Sequence, residues 1–161
     1  MNSKTLGHDD SSGFEFAKEM LNGHETAAVN FDRYQKDKNG RRIIFEYLLC
    51  DESQKNVTPW TSHPSKYWEK NKAKFLSLWR AALDFNATLY LVNYAKKGTE
   101  HENEILLIEV KGMNDFGIVE ETLKKYTRKE FGEWFRKLND SCLTSTEEIL
   151  GKSIISNRIY N

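Results

Sequence analysis

The sequence predicts a small α/β (α+β) domain, a mixed central sheet flanked by helices in the order α-β-β-α-β-β-α. Three observations predict it. Strand-like runs rich in β-branched and aromatic residues come in two pairs, "TAAVNFDRY" with "RRIIFEYLLC" and "ATLYLVNYA" with "EILLIEV". A long stretch of helical periodicity, residues 64–85, separates the pairs. Two Ser/Thr-x-x-Glu patterns, Ser12 to Glu15 and Thr127 to Glu130, have the form of helix capping boxes. Such an order of elements suits a sheet with helices packed against it.

The elements follow in chain order. Residues 1–11 are polar and read as a disordered lead-in, leaving 12–161 as a single domain. The Ser12 box opens a short helix over about 14–21, with Asn22-Gly23 as its stop. The first two strands are joined by polar "QKDKNG", in which Asn39-Gly40 is a strong hairpin signal. A loop from Asp51 to Ser62 leads to the 64–85 helix. Pro64 suits its first turn and Asn86 its end, and His63 reads as a loop or cap residue. A charged turn around Gly98 joins the next two strands. Thr127 then opens the helix "RKEFGEWFRKLN", and a last short helix is expected over about 146–150.

Composition excludes several classes. The chain has 161 residues, with 24 Lys+Arg against 24 Asp+Glu, so it is no polybasic binder. Its longest apolar runs, about four residues, are far short of the ~20 that span a bilayer. The N-terminus lacks the apolar segment of a secretory signal, and two cysteines, Cys50 and Cys142, then read as reduced thiols in a cytoplasmic protein. The four histidines are scattered without metal spacing, and no Gly-rich phosphate loop occurs. Ser, His and Cys suggest no nucleophile arrangement along the sequence. The balanced total conceals an uneven distribution. Residues 66–80 carry five basic groups and one acid, and residues 100–121 carry seven acids and one Lys.

Three features carry candidate chemistry. Glu46 lies inside "IIFEYLL", a run apolar on both faces, where a carboxylate needs a partner or a role. Asp32 lies on the preceding strand, so the pair could hold a divalent cation through oxygen ligands. Register decides whether they meet. A two-residue Asn39-Gly40 turn sets Glu46 across from Arg33, an ordinary ion pair, and the local turn signal slightly favours it. A three-residue Lys38–Gly40 loop with Gly40 left-handed sets Glu46 across from Asp32. Like charges that close call for a metal or a proton between them.

Lys72 is the second feature. At 100° per residue, Trp68, Phe75, Leu76, Trp79, Ala82 and Leu83 form one apolar stripe, and Lys72 lies only about 40° from Trp68. It either snorkels at the sheet edge or holds a cation beside the strand carboxylates. Lys66, Lys70 and Lys74 fall on the opposite, solvent side, where they could contact phosphates. The third feature, Glu109-Val110-Lys111, reads mainly as a strand emerging into solvent. The capping box accounts for Glu15, which could also reach a cation through water.

On "SGFEFAKEML", "NFDRY", "IIFEYLL" and the helix "YWEKNKAKFLSLWRAAL" running into "ATLYLVNYA", residues 12–111 resemble the PD-(D/E)XK nuclease superfamily. The resemblance implies a restriction-endonuclease-like fold and Mg²⁺-dependent cleavage of DNA phosphodiesters. It makes Asp32 and Glu46 the metal ligands, with Glu15 in a supporting role. Leu48 stands where the E-x-K element carries its lysine, and Phe31 rather than Pro precedes Asp32. Some members carry the lysine on the following helix, and Lys72 fits that arrangement. Lys66, Lys70, Lys74 and Trp60 would then contact DNA. A catalytically inactive relative that binds nucleic acid or inhibits a partner protein is the alternative, with an assembly protein third.

Overall fold

Asp37 determines the geometry of the first hairpin. Its Oδ1 accepts the backbone N–H groups of Asn39 (2.9 Å) and Arg41 (2.8 Å), and its own N–H donates to Arg41 O at 2.9 Å. That tie encloses Lys38, Asn39 and Gly40 in a three-residue loop, and Gly40 takes φ +89°, a conformation a side chain would strain. Strand β1 (Arg33–Lys36) therefore pairs antiparallel with β2 (Arg42–Leu49) with Arg33 opposite Phe45, not Glu46. The structure, a computed structural model, describes residue 7 and residues 10–145.

From β2 the chain crosses over through helix α2 (Trp68–Phe85) to β3 (Ala87–Tyr94), which lies parallel to β2. A parallel neighbour requires such a long connection. Asn86 ends α2 in the left-handed conformation, its N–H reaching Ala82 O and Leu83 O. Antiparallel β4 (Ile105–Asn114) and β5 (Gly117–Tyr126) complete a mixed sheet in the order β1-β2-β3-β4-β5. Strand β5 is absent from the sequence expectation. It is an edge strand whose charges Glu120, Glu121, Lys124 and Lys125 interrupt the apolar signal, as edge strands commonly require.

The sheet is covered on both faces. Ile44, Leu89, Leu91, Leu106, Ile108 and Val110 pack under Trp68, Phe75, Leu78, Ala81 and Ala82 of α2. On the other face Ile43, Phe45, Tyr90, Val92, Leu107 and Tyr126 meet Phe131, Trp134, Phe135 and Leu138 of α3 (Arg128–Ser141). Thr127 caps α3 as expected, its hydroxyl accepting from Glu130 N while Glu130 reaches back to Thr127 N. Thr127→Ala is expected to cost about 1 kcal/mol, read as a lower urea midpoint at unchanged m-value.

Two helical expectations differ. Helix α1 spans Asp10–Leu21, so it begins inside the expected lead-in and Ser12 lies within it rather than capping it. It stops at Asn22 and Gly23 as expected, both at positive φ. Residues 64–67 form a separate 3-10 turn before α2, capped by His63. The helix expected over 146–150, and all of the lead-in except Gly7, Asp10 and Ser11, lie outside the described residues.

Candidate functional site: a carboxylate pair beside helix α2

The hairpin register continues one residue past β1. Asp32 N–H donates to Phe45 O at 3.1 Å, which sets Asp32 across from Glu46 on the α2 face of the sheet. The metal-compatible register is thus the one adopted, and the alternative pairing of Glu46 with Arg33 is not. Asp32 is exposed, and its Oδ2 accepts the Tyr47 N–H at 2.7 Å, replacing the backbone partner that the end of β1 no longer supplies.

Glu46 is only 6% exposed. Lys74 Nζ lies 2.8 Å from its Oε1, whereas Oε2 is buried with no hydrogen-bond partner among the described residues. A buried carboxylate oxygen without a donor is costly and rare in folded proteins. Burial raises the Glu46 pKa above its ordinary 4.5, the Lys74 ammonium opposes the rise, and the Asp32 carboxylate adds to it, both by its charge and as a hydrogen-bond partner of the protonated Glu46.

That direction has a thermodynamic consequence. The folded chain binds the Glu46 proton more tightly than the unfolded chain does. Stability from this group is therefore fully present below pH 4.5 and is lost as pH rises through the folded pKa. Glu46→Gln removes the dependence. Relative to the variant, the wild type is expected to lose stability between pH 4.5 and 7, measured by urea unfolding at both. A relative gain over that interval contradicts the burial described.

The lysine beside the pair is Lys74, not Lys72. The sequence stripe included Leu83, which is 61% exposed, and omitted Leu78 and Ala81, which are 1% and 7% exposed. The buried face is rotated by roughly 70° from the one expected, at 100° per residue. The rotation carries Lys74 to the flank facing β2. Lys72, about 160° away around the helix axis, faces the other flank and makes no ion pair among the described residues. The signal that could have found Lys74 was Leu78, whose inclusion turns the stripe in the right direction.

The remaining candidates separate. Glu15 is exposed on α1 and has no interaction with Asp32 or Glu46 among the described residues. Lys70 is exposed one turn before Lys74, on the same flank, and Lys66 is exposed on the 3-10 turn. Lys74 is not a free solvent-side cation, because it is committed to Glu46. Trp60 is half-buried, its indole N–H donating to Ile105 O at 3.1 Å and Lys125 standing over its ring, so it anchors the loop. Glu109 lies on the α3 face, 3.8 Å from Arg41 and 3.9 Å from Lys111, and β4 continues past both residues to Asn114. Cys50 and Cys142 are free, and burial pushes the Cys50 thiol pKa up.

Among the described residues no group of three or more His, Cys, Asp and Glu gathers at one point, and no helix is long and apolar enough to cross a membrane. Mg²⁺ takes oxygen ligands and is commonly held by one or two carboxylates plus substrate phosphate and several waters, so two carboxylates are of the right chemical type for it. Comparison with known proteins finds no matching family, no matching curated protein and no matching solved structure.

Proposed function

We propose that the chain is a metal-dependent nuclease that cleaves DNA phosphodiesters, with Asp32 and Glu46 as cation ligands and Lys74 as the active-site lysine. The observation that supports this reading is the unpartnered, buried Glu46 Oε2 beside Asp32, with an ammonium 2.8 Å from the other Glu46 oxygen. The arrangement agrees with the acidic hairpin and helix-borne lysine that the nuclease resemblance implies, after exchanging Lys72 for Lys74.

Bound there, Mg²⁺ would lower the pKa of a coordinated water and offset charge on the phosphoryl oxygens. The protein's own groups have separate tasks. The Tyr47 N–H holds Oδ2 of Asp32, so Oδ1 is the oxygen that would take the cation. Burial keeps Glu46 in one place, and Lys74 holds its Oε1, so Oε2 is the oxygen left without a protein donor among the described residues. The half-exposed Lys74 also places a positive charge where phosphate negative charge develops in the transition state. Lys70, exposed one turn away, is suited to contact a neighbouring phosphate without reading bases.

The test is incubation of the purified full chain with single-stranded, duplex and branched DNA, with Mg²⁺ or Mn²⁺ and with EDTA. Cation-dependent cleavage of at least one substrate is the expected result. Absence of cleavage on all three under both cations overturns the catalytic reading.

A further inference from the structure

A second constellation lies at the far edge of the sheet. His63, at the start of the 3-10 turn, directs Nε2 at the Glu121 carboxylate of β5, at 2.9 and 2.8 Å from its two oxygens. Its Nδ1 lies 2.9 Å from Ser65 Oγ and accepts the Ser65 N–H at 3.1 Å. A backbone N–H can only donate, so Nδ1 carries the lone pair and Nε2 the proton that Glu121 accepts. The tautomer is fixed from both sides. His63 and Glu121 are each about four-fifths covered, whereas Ser65 is exposed. A nucleophile, a base within hydrogen-bond reach and a third group orienting that base are the parts of a serine nucleophile centre.

We propose that Ser65, His63 and Glu121 form a second reactive centre, one that cleaves small carboxylic esters through an acyl-serine. Ser65 Oγ attacks the ester carbonyl while its proton passes to His63 Nδ1, which gives up the Ser65 N–H as it is protonated, and Glu121 stabilises the imidazolium through Nε2–H. The carbon–oxygen bond to the alcohol breaks, and the Nδ1 proton leaves with the alcohol. Water then attacks the acyl-serine, giving one proton to Nδ1. The Ser65–acyl bond breaks, the carboxylic acid departs, and Nδ1 returns the proton to Ser65. The centre is independent of the carboxylate pair: Glu121 belongs to edge strand β5, and Asp32 adjoins β1 at the opposite edge.

The test treats the full-length chain with a fluorophosphonate, followed by peptide mapping, and with p-nitrophenyl acetate. The expected result is one label per chain on Ser65 and loss of ester hydrolysis on labelling. Both are abolished by Ser65→Ala, whose melting temperature is unchanged. Glu121→Gln is expected to slow labelling by roughly 10²-fold or more. A purely structural cap would not produce that effect. Ser65 labelling no faster in the native than in the urea-unfolded chain overturns the proposal, as does labelling at an equal rate in a folded Glu121→Gln.

Discussion

Lys74→Met is expected to lower cation-dependent DNA cleavage by roughly 10²- to 10³-fold, while Lys72→Met leaves it near the wild-type rate. The two lysines are two residues apart in sequence and on opposite flanks of α2, so the pair isolates position from charge. Only Lys74 reaches Glu46, at 2.8 Å. Losing it removes the charge that faces the phosphate and leaves a buried carboxylate without its cation. Methionine retains much of the stem that covers Glu46, so the melting temperature of each variant separates a folding defect from a catalytic one. Equal rates for a folded Lys74→Met and the wild type would remove Lys74 from the site.

Phe75→Ala is expected to cost about 3–5 kcal/mol, a large part of the 5–15 kcal/mol that stabilises a typical domain. Phe75 is 1% exposed and stacks on Trp68 with ring centroids 5.4 Å apart. Tyr67 closes over it at 6.0 Å. Removing the ring leaves a void between α2 and the sheet, one residue from Lys74, so cleavage should fall along with stability. Guanidinium unfolding measures the loss, and a change under about 1 kcal/mol would contradict the packing of α2 on β3 and β4.

Much of this arrangement was legible in the sequence. The Thr127 cap, the Asn86 stop and the crossover helix rest on local patterns that the tertiary structure does not override. Glu46 stood out because a carboxylate in an apolar strand has few uses. The register was open because Asn39-Gly40 is a strong turn signal by itself, and the Asp37 side chain that overrides it lies two residues before Asn39. Lys74 was hidden for a different reason. Trp79 and Leu83 drew the apparent stripe to one side, and which apolar residues a helix buries depends on what it meets. Strand β5 pairs with β4 through a short hairpin between Asn114 and Gly117, but its own charges hid it, and the Glu121–His63 contact joins residues 58 apart, which no local pattern encodes.

The central claim is that the Asp32–Glu46 pair supports cation-dependent phosphodiester cleavage. Its most direct measurement compares the wild type with Glu46→Gln, purified identically, on one DNA substrate in Mg²⁺. The expected result is cleavage by the wild type, abolished by EDTA and absent from a Glu46→Gln protein with a normal melting curve. Cleavage that persists in Glu46→Gln would contradict the site, and a wild type that cleaves nothing would contradict the function.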